Sequence, residues 1–296
     1  MTVLSVRHLA ACLALAMSTV HVASATAIPI GDDKSRPESL TVAPGGVLIV
    51  GSASSPFVYK VRPGTSLAEK FIDVSAEGPH TSFLGMLADA ANNTLWTCQR
   101  TSTPNTSPMQ GRSALRGVDL STGKPKFRWD LPGDNTACND FALGPDRALY
   151  ITDTFTGKIY KLAAGASTAE LYLEKELLRA VDGITFLNGT LYVNNVFSGK
   201  LYRIPVSADG KPGQPVEIST DQLLKGPDGM RAANGKVFVA ENGRGVIASL
   251  TINADKAVVT VLTEGLKRPT GIEPAGDVLW FTELDAGKAD SIPMPR

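Results

Sequence analysis

The stretch Asn139-Asp-Phe-Ala-Leu-Gly-Pro-Asp-Arg-Ala-Leu-Tyr-Ile-Thr-Asp153 reads as one β-hairpin. The apolar run Phe141-Ala142-Leu143 meets the turn Gly144-Pro145-Asp146, and the alternating run Leu149-Tyr150-Ile151-Thr152 leads back. A second turn, Thr156-Gly157-Lys158, opens a third strand over Ile159-Tyr160-Lys161-Leu162.

Outward from this unit, the same layout begins at Glu38, Leu84, Asn139, Asp182, Asp228 and Thr270, at spacings of 46, 55, 43, 46 and 42 residues. Each copy has a turn six to eight positions on, such as Asn188-Gly189 and Asn234-Gly235. A β-rich run follows, such as Thr190-Leu-Tyr-Val or Lys236-Val-Phe-Val. A period of this size with several strands per copy is the signature of propeller blades. The expectation is an all-β, six-bladed β-propeller with four-stranded antiparallel blades around a central channel. The last copy leaves 27 residues, enough for three short strands, so an N-terminal strand near Ala27-Ile28-Pro29-Ile30 is expected to complete the last blade and hide its edge.

A closed repeat array makes residues 26–296 one domain. Lys plus Arg equals Asp plus Glu at 29 each, which gives no bias toward nucleic acid or anionic membrane and points to a small-molecule partner. A ring without free edges has no intrinsic need of a partner chain, so a monomer is expected. Residues 1–25 read as an export signal: Arg7, a short apolar core over residues 9–17, and Ala23-Ser24-Ala25 as the cleavage site. The core is too short to span a membrane, and the expected location is periplasmic or secreted. Leu9-Ala10-Ala11-Cys12 opens the apolar core instead of following it, which argues against lipidation. Removing the leader leaves Cys98 and Cys138, either a disulfide between adjacent blades or two small buried residues.

The first residues of the repeats point toward one axis in such an array. Here they are Glu38, Asn139, Asp182 and Asp228, with Leu84 and Thr270 from the other two copies. Asp182-Gly183 and Asp228-Gly229 stand before their strands, where no turn is needed, so their carboxylates require another explanation. Three carboxylates and an amide converging at a channel mouth repel one another unless a cation neutralises them. Hard oxygen ligands select Ca2+, with Mg2+ or Mn2+ behind it, and no Cys/His cluster of zinc spacing is present. The segment 99–114, rich in Ser, Thr and Pro, reads as a rim loop or lid on that face, or as a tolerated surface insertion.

The phrases Pro37-Glu38-Ser39, Asn139-Asp140, Val181-Asp182-Gly183-Ile184 and Pro227-Asp228-Gly229-Met230, each followed by a hairpin, resemble the senescence-marker-protein/gluconolactonase/luciferin-regenerating-enzyme family. The resemblance runs from about Glu38 to Glu283. It implies a six-bladed propeller whose divalent ion is held by the residues matching Glu38, Asn139, Asp182 and Asp228, with Asn139 also facing substrate. It further implies a metal-dependent hydrolase that opens a lactone or related ester, with Asp228 as ligand and proton acceptor. Paraoxonases resemble the chain more distantly. Their proposed histidine base near the start of blade two makes His80 a second catalytic candidate, against its reading as a surface loop histidine. The chain departs from the family at Asp182, where asparagine is common, and at Ala137, where gluconolactonase-like members place an arginine for sugar hydroxyls. Asp153, Glu241 and Glu283 end second strands, either orienting the ligands from outside or standing as solvated loop acids.

Two other functions are carried alongside the hydrolase. One is a non-catalytic propeller that binds a ligand or protein around a structural ion. The other is a lyase similar to the streptogramin-opening propellers, which the closing phrase Leu279-Trp-Phe-Thr-Glu283 resembles.

Overall fold

The structure, a computed structural model, describes residues 27–31, 35–78, 80–102 and 110–295. The export signal expected over residues 1–25 lies outside them. The chain is an all-β propeller with four-stranded blades. Its strands form four four-stranded sheets and one eight-stranded sheet. The larger sheet is two antiparallel runs of four, 181–220 and 227–263, joined at their outer edges by the short parallel pairing Ser219–Lys256 and Thr220–Ala257.

Each run has the same plan. An inner strand turns back into a second strand, and two more follow outward. The inner strands are Pro37–Ala43, Thr81–Asp89, Cys138–Leu143, Val181–Leu187, Pro227–Ala233 and Pro269–Ala275, and each touches the next in a closed cycle. The hairpin turns fall where the sequence places them. Asn188 and Asn234 take φ of 50° and 51°, and Gly189 and Gly235 take 78° and 74°, the left-handed pair that a tight two-residue turn requires. The final segment supplies three strands, and Ile28–Pro29 pairs antiparallel with Lys288–Pro293 at their outer edge.

The core lies between neighbouring runs instead of at one centre. Ile49 and Val58 pack on Phe83 and Leu95, Ala142 and Tyr150 on Ile184 and Leu191, and Phe238 and Ile247 on Ile272 and Leu279. Second strands such as Lys236–Glu241 are therefore apolar runs covered on both faces, not half-exposed alternating strands.

Two expectations change. Segment 99–114 is not simply a loop: Thr94–Ser102 and Gly111–Asp119 are nine-residue strands in continuous register, and only residues 103–109 lie outside the description. Cys98 accordingly sits within its strand. The repeat's first residues also lie inside the inner strands, not before them, at a bulge opposite the second strand.

A buried oxygen cluster at the channel mouth

The bulge is what builds the site. Between Cys138 and Phe141, Val181 and Ile184, Pro227 and Met230, Pro37 and Leu40, and Pro269 and Ile272, the inner strand carries one residue more than its partner. A bulge bends the strand and re-aims its side chains. Glu38, Asn139, Asp182 and Asp228 thereby line one cavity of about 10 Å3 with Ser39, Asp140 and Thr270. That is room for about one water-sized occupant. The glycine after Asp182 is forced by this convergence: a Cβ on Gly183 would lie 2.3 Å from the Asp228 carbonyl oxygen.

The three acids are buried, and burial dominates their protonation. It pushes Glu38 and Asp182 well above the usual carboxylate range, and repulsion from Asp228 and the other acids adds to it. Asp228 is pushed up to about 7, again first by burial, against the Asn242 amide and the Gly229 N–H that favour its anion. Asn139 Nδ2 donates to Asp182 Oδ2 at 2.8 Å and to Thr154 Oγ1 at 3.0 Å. Asn242 Nδ2 donates to Asp228 Oδ2 at 2.8 Å, and Gly229 N to Asp228 Oδ1 at 3.0 Å.

Among the described residues no three acidic, histidine or cysteine groups already stand in a metal-ligating arrangement. The donor set nevertheless fits a hard cation. Glu38 Oε2 and Asp182 Oδ1 are buried and accept no N–H or hydroxyl, and the Asp182 and Asp228 carboxyls stand within hydrogen-bonding reach of each other. Such a cluster costs several kcal/mol when ionised unless a proton or cation meets it. A calcium ion would take the free oxygens of Glu38 and Asp182 together with Asp228 and the side-chain Oδ1 of Asn139.

Below the mouth lies a second polar layer that the sequence reading missed. Arg231 spans the channel: its Nη1 meets Asp140 Oδ1 and Oδ2 at 3.0 and 2.9 Å, its Nε meets Glu273 Oε2 at 3.1 Å, and its Nη2 donates to the Met86 carbonyl at 3.1 Å. Thr41 donates to the other Glu273 oxygen at 3.2 Å. Although burial favours the neutral guanidinium, Asp140 and Glu273 hold it charged. The available signal was spacing. Thr41, Arg231 and Glu273 each follow a mouth residue by three, the next inward position once a bulge has used up one residue.

His80 is exposed and is not among the cavity-lining residues. Its hairpin continues past the mouth, since Thr81, Ser82 and Phe83 pair with Thr101, Arg100 and Gln99. Four residues of strand at about 3.3 Å each put His80 on the order of 13 Å along the strand from Leu84. Asp153, Glu241 and Glu283 are not solvated loop acids. All are buried, and each accepts a backbone N–H from just before its inner strand: Ala137 at 2.8 Å, Lys225 at 2.8 Å and Lys267 at 2.6 Å. They fasten the chain entering each bulge. Cys98 and Cys138 form a disulfide.

No protein-family model and no curated protein matches the sequence. Solved structures do. A luciferin-regenerating enzyme superposes with a TM-score of 0.68 at 11% identity, covering 92% of this chain and 96% of that one. A gluconolactonase from Xanthomonas campestris superposes at 0.65 and 15%, covering 91% and 98%. Virginiamycin B lyase from Staphylococcus aureus superposes at 0.62 and 14%, covering 92% and 99%. At these identities the likeness carries the propeller fold.

Proposed function

We propose that the chain is an exported, six-bladed, calcium-dependent hydrolase that opens a lactone or a related ester at the oxygen cluster. The observation that carries this reading is the pair of buried oxygens that accept no N–H or hydroxyl, Glu38 Oε2 and Asp182 Oδ1, at a cavity sized for one ion. The blade count counts the eight-stranded sheet as two blades, which the closed cycle of inner strands supports, and takes Ile28–Pro29 as the outer strand of the sixth. The disulfide suits an oxidising compartment, in keeping with the leader.

A calcium ion bound here would polarise the substrate carbonyl as a Lewis acid. The protein's own groups supply the rest. Glu38, Asn139 and Asp182 hold the ion, and the cavity is too small to admit substrate, which therefore lies above the mouth. Asp228 is kept in one orientation by Gly229 N and the Asn242 amide. It takes a proton from water as the water oxygen bonds to the carbonyl carbon, and returns it to the ring oxygen as the acyl–oxygen bond breaks. The products are a hydroxyl and a carboxylic acid on one molecule, and the acid releases its proton to solvent to become a carboxylate.

The lyase reading loses support at His80. A histidine variant of the staphylococcal lyase is described as catalytically inactive, whereas the one histidine among the described residues here is exposed and away from the cavity. The test is a panel of sugar, aliphatic and aryl lactones assayed on calcium-loaded and chelator-stripped protein, beside Asp228→Asn. Calcium-dependent ring opening that the variant loses is expected. Ion binding without turnover on any lactone would replace the hydrolase with a ligand-binding propeller around a structural ion.

A further inference from the structure

One residue of each second strand stands at the bulge of its own inner strand. In chain order these are Gly51, Cys98, Thr152, Asn194, Ala240 and Thr282. Three of them reach in two directions. Thr152 Oγ1 accepts Asp140 N at 3.0 Å and donates to the carbonyl of Asp182, in the following run, at 2.8 Å. Asn194 Oδ1 accepts Gly183 N at 3.0 Å, while its Nδ2 donates to the Asp228 carbonyl at 2.6 Å. Thr282 Oγ1 accepts Gly271 N at 2.7 Å and donates to the Glu38 carbonyl at 2.9 Å, a carbonyl that also accepts Thr270 Oγ1 at 2.6 Å. All three side chains are fully buried. The fourth, Cys98, makes a covalent version of the same link, to Cys138 immediately before Asn139.

The pattern of presence and absence is informative. Glu38, Asn139, Asp182 and Asp228 are each tied from the preceding run, by Thr282, Cys98, Thr152 and Asn194. The remaining two positions hold Gly51 and Ala240, which have no side-chain donor. The runs that follow them contribute Leu84 and Thr270, the two mouth residues without a carboxylate or amide. The bulge alone asks for no such match, since all six inner strands carry one.

We propose that Thr152, Asn194, Thr282 and the Cys98–Cys138 disulfide form a ring of positioning residues, each fixing the backbone of one cation ligand so that four side chains converge at one point. The ring deepens the calcium-site reading and rests on it. Groups that orient ligands from outside typically contribute tenfold to a hundredfold in metal affinity.

The test is calorimetric calcium titration of the full-length protein and four variants, with melting temperatures recorded in chelator. Thr152→Val removes one tie, and Thr152→Ser keeps it. Thr97→Val is the matched control, because Thr97 is equally buried but its hydroxyl bonds the carbonyl of Leu84, a non-ligand, at 3.3 Å. Cys98→Ala with Cys138→Ala removes the covalent tie. Thr152→Val and the cysteine pair are expected to weaken calcium binding about tenfold to a hundredfold. Thr152→Ser restores it, and Thr97→Val lowers the melting temperature with affinity unchanged. Wild-type binding with equal affinity in every variant overturns the ring and leaves the calcium site standing, as does a loss in Thr97→Val as large as in Thr152→Val. No binding by the wild type overturns the calcium site and the ring together.

Discussion

Stripping the cation makes stability fall as pH rises through the acid range, which is the reverse of ordinary acid denaturation. Asp228 is pushed from 3.8 to about 7 by burial and then by the Asp140 charge. Between those values the folded chain holds a proton that the unfolded chain has released, so the folded state binds more protons and unfolding free energy drops with rising pH. About three pKa units at ~1.4 kcal/mol each give a loss of ~4 kcal/mol between about pH 4 and pH 7 from Asp228 alone. Glu38 and Asp182 are shifted in the same direction, first by burial, and titrate together with Asp228 as one interacting set. For a domain of about 270 residues ~4 kcal/mol corresponds to a fall of roughly 7 °C in melting temperature. Bound calcium holds the same carboxylates ionised, so the loaded protein should keep its melting temperature across that window. The assay is a calorimetric melt at several pH values, on protein stripped with chelator and dialysed, and on protein reloaded with calcium. Asp228→Asn should flatten the slope of the stripped protein. A stripped protein whose melting temperature is level or rises from about pH 4 to pH 7, with wild type and variant alike, would refute the reasoning.

Three further outcomes follow from single groups. Arg231→Met leaves Asp140 and Glu273 buried without their partner and should cost about 3–5 kcal/mol in denaturant unfolding. Arg231→Lys should recover little of it, because an ammonium cannot span both acids in the guanidinium's fork geometry. Gly183→Ala drives a Cβ into the Asp228 carbonyl and the Asn194 amide, so it should destabilise by about 1–3 kcal/mol and abolish calcium binding in the same calorimeter. His80→Ala, on an exposed site away from the cavity, should stay within about 0.5 kcal/mol of wild type and leave lactone turnover unchanged.

The fold was legible because a repeat states its own period. Asn188-Gly189 and Asn234-Gly235 announce their turns, and the apolar runs after them announce second strands. The mouth residues were legible for the same reason, since Glu38, Asn139, Asp182 and Asp228 occupy one phase of the period. What the sequence hid depends on contacts between runs. Arg231 bridges to Asp140, 91 residues away, and only a closed ring brings them together. The strand extension at Gln99–Ser102 was hidden by composition, because Thr101, Ser102 and Ser113 read as loop residues until cross-strand pairing holds them. Asp153, Glu241 and Glu283 read equally as ligand-orienting groups or loop acids, and only the folded chain shows one oxygen of each accepting a backbone N–H just before an inner strand. Propensity reports none of these partners.

The most direct test of the central claim is the stoichiometry of calcium binding to stripped protein, measured by calorimetry on wild type, Glu38→Gln, Asp182→Asn and Asp228→Ala. One ion per chain, weakened or lost in all three variants, is the predicted result. No binding of calcium, magnesium or manganese, or binding that survives in all three variants, would contradict the account and leave the channel-mouth acids without a cation to explain them.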